Sequence, residues 1–176
     1  GMQLDRDFHL ASRIGVYLEE AEARLVAGQL PPRLREQDGL PAVVADQLAS
    51  YLARQRETTR SPLPHRHHVL LEHIRSGPQG SPGHQLFVHA VWGRRVIRPW
   101  GLALAAAWRR QYGHEPEVFA CNHGLGVVAR EPVSAEEVLG LVTPENLLDL
   151  LRASLEGSDF FGGIFRECAG RALLLG

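Results

Sequence analysis

Lysine is missing altogether: all nineteen basic residues of this 176-residue chain are arginine. A P-loop needs a Gly-Lys-Ser/Thr turn to cradle phosphates, and a protein kinase needs a strand lysine. Both routes to nucleotide chemistry are therefore excluded. Cysteine is nearly missing as well. Cys121 and Cys168 stand alone, too few and too far apart for a disulfide framework, and are expected as reduced thiols of a cytoplasmic protein. No apolar run approaches the length that spans a bilayer, so no membrane partner is expected. The opening Gly1-Met2 reads as a cloning remnant ahead of a start methionine, with no signal peptide after it.

What the chain does have is arginine in an uneven distribution. Its net charge is −1, which taken alone argues against nucleic acid. Residues 1–59, however, carry seven arginines against nine acids, and residues 116–176 carry four against nine. Residues 60–115 carry eight against only Glu72 and Glu115. The block charges are −2, −5 and +6 in that order. A local basic field of this kind can hold phosphate although the total is near zero.

The densest part of the basic block is Trp92-Gly-Arg-Arg-Val-Ile-Arg-Pro-Trp-Gly-Leu-Ala-Leu104. Guanidinium beside indole suits a surface that holds nucleic acid, one for phosphate and the other for a base. Arg94, Arg95 and Arg98 are the candidate phosphate contacts, and Trp92, at a strand end before a glycine, is the candidate exposed ring. Read as strand, the segment puts Arg94 and Val96 on one face and Arg95 on the other. Arg109 and Arg110, near the end of the following helix, are the second place to look. Trp100, Leu104, Ala107 and Trp108 share a helical face and read as core.

Periodicity predicts an amphipathic helix over residues 5–26, closed by Gly28 and the pair Pro31-Pro32, and a second helix over 41–56. After Ser61-Pro-Leu-Pro64 the period becomes two. Strands are expected at 68–74 and 85–91 around a Gly/Pro-rich loop, then a helix over 100–112 started by Pro99. A second strand pair, 118–120 and 126–129, flanks Cys121-Asn-His-Gly-Leu-Gly126. Ser134-Ala-Glu-Glu137 is a capping box, Thr143-Pro-Glu-Asn146 opens another helix, and 160–175 is the last. The order implies an α+β fold: N-terminal helices, an antiparallel sheet from two hairpins around a helix, and C-terminal helices. The expected division is an N-terminal helical segment, 1–60, and an α+β unit, 61–176.

Eight residues invite a zinc reading: His65, His67, His68, His73, His84, His89, Cys121 and His123. None of their spacings matches a zinc framework, so no metal is expected. On the terminal helix, Glu167 and Arg171 stand i,i+4 beside Arg166 and read as a structural pair.

Several segments resemble one known family. They are His67-His-Val-Leu-Leu-Glu-His73, the Trp92–Leu104 stretch, Thr143-Pro-Glu-Asn-Leu-Leu148, and Phe160-Phe-Gly-Gly-Ile-Phe-Arg-Glu-Cys-Ala-Gly-Arg-Ala-Leu-Leu-Leu175, with Tyr51-Leu-Ala-Arg-Gln55 ahead of the proline break. Together they resemble the domain that follows the motor domains and winged helix of Lhr-type (large helicase-related) DEAD/DEAH-box helicases. Family members carry an acidic residue in the turn where this chain has Asn122-His123, and they continue past the Arg-Ala-Leu-Leu-Leu helix.

The resemblance implies a non-catalytic, nucleic-acid-binding accessory domain of an ATP-dependent helicase. It would be either an excised piece or a stand-alone relative. ATP and Mg would belong to the motor domains of the parent protein. The expected partners are single-stranded nucleic acid, DNA in preference to RNA, and helicase motor domains in cis or trans. The competing reading is a scaffold domain that packs on the motors without touching nucleic acid; a small metal-dependent hydrolase is a third.

Overall fold

A computed structural model describes residues 5–74, 84–156 and 159–172. Among them the chain order is α1 (Phe8–Val26), α2 (Leu30–Glu36), α3 (Ala42–Thr59), β1 (Leu70–Ile74), β2 (His84–His89), α4 (Arg94–Tyr112), β3 (Glu117–Cys121), β4 (Gly124–Ala129), α5 (Ala135–Gly140), α6 (Leu147–Glu156) and α7 (Asp159–Arg171). The expected α+β architecture is the one observed. The four strands form one antiparallel sheet in the order β1-β2-β4-β3. Two hairpins are thus joined through β2 and β4, and β4 lies between the two strands that α4 connects.

The helical N-terminus holds one helix more than periodicity predicts. Asp7 caps α1 by accepting the His9 amide N–H at 2.8 Å, so the helix begins three residues after the expected start. Pro31 and Pro32 do not close α1. They occupy the first turn of α2, where the missing N–H would be unpaired in any case. Leu30 and Leu34 of α2 are buried with Ala21, Ala45 and Ala49, and Leu25, Leu40, Leu48 and Leu52 close around them. Phe8, placed on the apolar stripe by its spacing, is exposed instead.

Close backbone approach fixes the sheet centre. Leu86 and Val88 of β2 and Leu125 and Val127 of β4 point inward at alternate positions. A Cβ at Gly124 would collide with the Val88 carbonyl oxygen and stand 2.7 Å from the Phe87 ring, so only glycine fits there.

By its internal packing the chain divides into two compact units that interleave along the sequence. One comprises residues 1–74, 86–97 and 120–126; the other comprises 75–85, 98–119 and 127–176. In the first, the core described above carries the fold. In the second, Ala103, Ala106 and Ala107 of α4 are buried with Leu150 of α6, and Leu141, Val142, Leu147 and Leu151 pack around them. The capping box forms as read: Ser134 Oγ accepts the Glu137 N–H at 3.1 Å, and the Glu137 carboxylate accepts the Ser134 N–H at 2.7 Å. That pairing holds the Glu137 carboxyl below its usual range. Thr143 starts a turn ahead of α6 rather than the helix itself. Its amide donates to Asn146 Oδ1 at 2.8 Å, and its carbonyl accepts the N–H of Leu147.

Candidate nucleic-acid interface

The Trp92–Leu104 segment is helical from Arg94 onward, five residues before the start expected at Pro99. Gly93 makes the entry. Its φ of +80° is a conformation that glycine adopts without strain, and its carbonyl accepts the N–H groups of Val96 and Ile97. The first helical N–H, that of Arg94, is taken by the side chain of Asn122 at 3.1 Å. The same Asn122 Oδ1 accepts the Arg6 amide at 2.9 Å, while its main-chain carbonyl accepts Arg6 Nη1 at 3.5 Å. A buried carboxamide from the β3–β4 turn therefore ties the start of α4 to the segment ahead of α1. Sequence reasoning notes in this turn the acid it lacks and the candidate ligands Cys121 and His123, and gives Asn122 no role. The carboxamide oxygen can accept the same backbone donors that a carboxylate there would.

With the segment helical, the strand-face assignment of the arginines is replaced. Residues three, four and seven apart share a helical face, so Arg95, Arg98, Leu102 and Arg109 align along α4. All four are exposed, as is Arg110 beside them. At 1.5 Å per residue the stripe runs about 21 Å from Arg95 to Arg109. Among the described residues neither Arg95 nor Arg98 has an ion-pair or hydrogen-bond partner, and the same holds for Arg110. Arg109 faces Glu115 at 2.7 Å.

Arg94 differs from its neighbours. Its guanidinium reaches Asp5 at 3.4 Å, its side chain is about one-third exposed, and its Nε is buried without a hydrogen-bond partner among the described residues.

The three tryptophans separate. Trp108 is fully buried, as its spacing predicts, and its ring lies 5.1 Å from that of Tyr112. Trp100 is only half-buried. Trp92, also half-buried, lines an open cleft of about 340 Å³ with Phe8, Gly15, Arg66, Val91 and Val96. Arg66 is bound to Glu19, which His67 also contacts at 3.1 Å; these two partners hold the Glu19 carboxyl below its usual range.

The histidines and cysteines are dispersed into separate contacts. His89 pairs with Glu72, His114 with Glu131 at 2.9 Å, and His68 with Ser61 Oγ at 2.9 Å. Cys121 Sγ points to the Gly124 carbonyl, and His123 lies 3.4 Å from Arg6. Among the described residues no group of three potential ligands could hold a metal ion. On α7, Arg171 and Glu167 pair at 2.6 Å, as their spacing predicts. No described helix is long and apolar enough to cross a membrane.

Comparison with known proteins follows the same lines. A family model described as DEAD/H associated matches residues 63–176. The Lhr helicase/uracil glycosylase of Escherichia coli is 30% identical over 175 residues, covering 97% of this chain and 11% of that protein. The Lhr helicase/probable uracil glycosylase of Mycolicibacterium smegmatis is 27% identical over 99% of this chain and 11% of its own length. Among solved structures, Mycobacterium smegmatis helicase Lhr bound to ssDNA and AMP-PNP superposes with a TM-score of 0.76 at 25% identity. That alignment covers 98% of this chain and 21% of the helicase. The chain thus spans about a tenth of the curated relatives it matches.

Proposed function

This chain belongs to the DEAD/H-associated family and is a helicase-associated domain of the Lhr type, and from that premise we propose that it holds single-stranded nucleic acid along the exposed face of α4. The carrying observation is the pair Arg95 and Arg98, one turn apart, exposed and without acidic partners among the described residues. A guanidinium pays little to leave water for a phosphate oxygen and can engage it through two donors. Arg109 and Arg110 extend the contact along α4, and the half-buried Trp92 lines a cleft of its own that could take a base. The strand is DNA in preference to RNA, a choice supported by the ssDNA bound to the similar Mycobacterium smegmatis helicase. ATP and Mg act in motor domains, in cis or trans, and this domain retains the strand while they move it.

Two observations favour the scaffold alternative. Leu102, exposed in the middle of the arginine stripe, and the Arg109–Glu115 pair are what a protein-facing helix would also show. Fluorescence anisotropy of a labelled dT oligomer, titrated at several salt concentrations, separates the two. Nucleic-acid binding gives an affinity that falls as salt rises and is lost in the R95A/R98A double variant. No binding at low salt overturns the proposal in favour of the scaffold.

A further inference from the structure

A second cavity of about 360 Å³ opens in the unit that contains α1–α3, and none of the α4 arginines lines it. It falls in the size range of small-molecule sites, and like them it combines an apolar floor with a few convergent polar groups. Leu63, which is buried, and Leu70 form the floor. Tyr51 supplies an aromatic face at the rim, and Gln55, Glu72 and His89 supply the polar groups. The Glu72 carboxylate is held in place by His89 Nε2 on Oε2.

We infer that this cavity takes a guanine base, with the Glu72 carboxylate receiving its N1–H and 2-amino donors. An ionised carboxylate only accepts, and its two oxygens offer about four lone-pair positions, so the His89 contact leaves room for two more donors. Guanine presents two adjacent donors on its pairing edge. Adenine and cytosine place an acceptor beside their amino group, and uracil and thymine present one donor between two acceptors. Gln55 can donate to guanine O6, and the Tyr51 ring can stack on the base. Among the described residues the lining holds no arginine, which argues for a base and against a phosphate in the cavity itself. The proposal does not depend on the α4 stripe.

The test is calorimetric and NMR titration of the protein with guanosine, inosine and adenosine. Guanosine binds; inosine, which lacks the 2-amino group, binds roughly tenfold more weakly or worse, as does adenosine. In Glu72→Gln the amide NH2 opposes guanine's donors, so guanosine weakens about tenfold while adenosine, which an amide can pair, does not. Tyr51→Ala weakens guanosine and inosine equally, by roughly fivefold or more. Circular dichroism establishes that both variants are folded.

A dT oligomer with one central dG, compared with one carrying dA, identifies the source of the base. Tighter dG binding that Glu72→Gln abolishes assigns it to a strand; a guanosine response alone assigns it to a free nucleoside. Equal binding of guanosine and adenosine, or none of either up to the solubility limit, overturns the inference. R95A/R98A should lose the oligomer and keep guanosine, so failure at one site is read apart from failure at the other.

Discussion

The two faces of α4 are built on opposite terms. One is small and apolar: Ile97, Ala103, Leu104, Ala107 and Trp108 are buried, and close packing there depends on volume. The other, Arg95, Arg98, Leu102 and Arg109, is exposed to solvent, and three of its four residues are charged. Substitutions on the first face should therefore act on stability alone, and on the second on binding alone. Where a position fails to obey that division, its assignment to a face is wrong.

The largest effect is expected away from α4, where the backbone itself sets the limit. Gly124→Val would force β4 off β2, since the Val88 carbonyl already occupies the Cβ position. We expect loss of cooperative unfolding by circular dichroism, and a native-like melt would show that the two strands can separate. Trp108→Ala comes next, at about 3–5 kcal/mol in urea unfolding. Trp108→Phe should cost clearly less, because the indole Nε1 is buried with no hydrogen-bond partner among the described residues and its removal strands no acceptor there. If Phe is as costly as Ala, the indole N–H is hydrogen-bonded in the native protein.

Asn122→Ala tests the start of α4. It leaves the N–H groups of Arg6 and Arg94 without their acceptor, and we expect a loss of about 1–3 kcal/mol. Asn122→Asp keeps an acceptor and adds a negative charge at a helix N-terminus, where it is favourable by roughly 0.3–1 kcal/mol. Asp should therefore be at least as stable as Asn in thermal unfolding. A destabilised Asp variant would mean that the carboxamide N–H2 matters as much as the oxygen.

Much of the fold was legible because its signals are local. Hairpin periodicity, the Ser134 capping box and the buried spacing of Trp108 each depend on residues within one or two turns of chain. The misreadings share a cause. Pro31-Pro32 starts a helix rather than ending one, and Pro99 sits inside α4 rather than at its start. A proline only states that one N–H is dispensable; which neighbour compensates is set by tertiary contacts. The start of α4 is set instead by Gly93 and Asn122, and Asn122 lies 28 residues away from the amide it caps. The arginines were recognisable by composition, but which of them point outward depended on that helix start. The Glu72–His89 pair carries no local signal, since its members meet only through the β1–β2 pairing.

The smallest effect on stability, and the sharpest on function, separates Arg94 from Arg95 and Arg98. Arg94 is held at Asp5 and about one-third exposed, so to bind phosphate it would have to give up that carboxylate. Arg95 and Arg98 have no such partner to lose among the described residues. Each phosphate neutralised on a single strand contributes roughly 0.7 to the slope of log affinity against log salt. R95A/R98A should therefore flatten the slope by about 1.4, the share of two contacts. Arg94→Ala should leave the slope nearly unchanged and cost at most about 1 kcal/mol, since partly exposed ion pairs contribute little. Anisotropy across a salt series reads the first quantity and urea unfolding the second. If Arg94→Ala flattens the slope as much as the double variant, Asp5 yields Arg94 to phosphate on binding, and the contact surface turns from the exposed face of α4 toward its N-terminus. If R95A/R98A instead unfolds the chain, the exposed face is covered in the native protein by something other than water, and the scaffold reading replaces the nucleic-acid one.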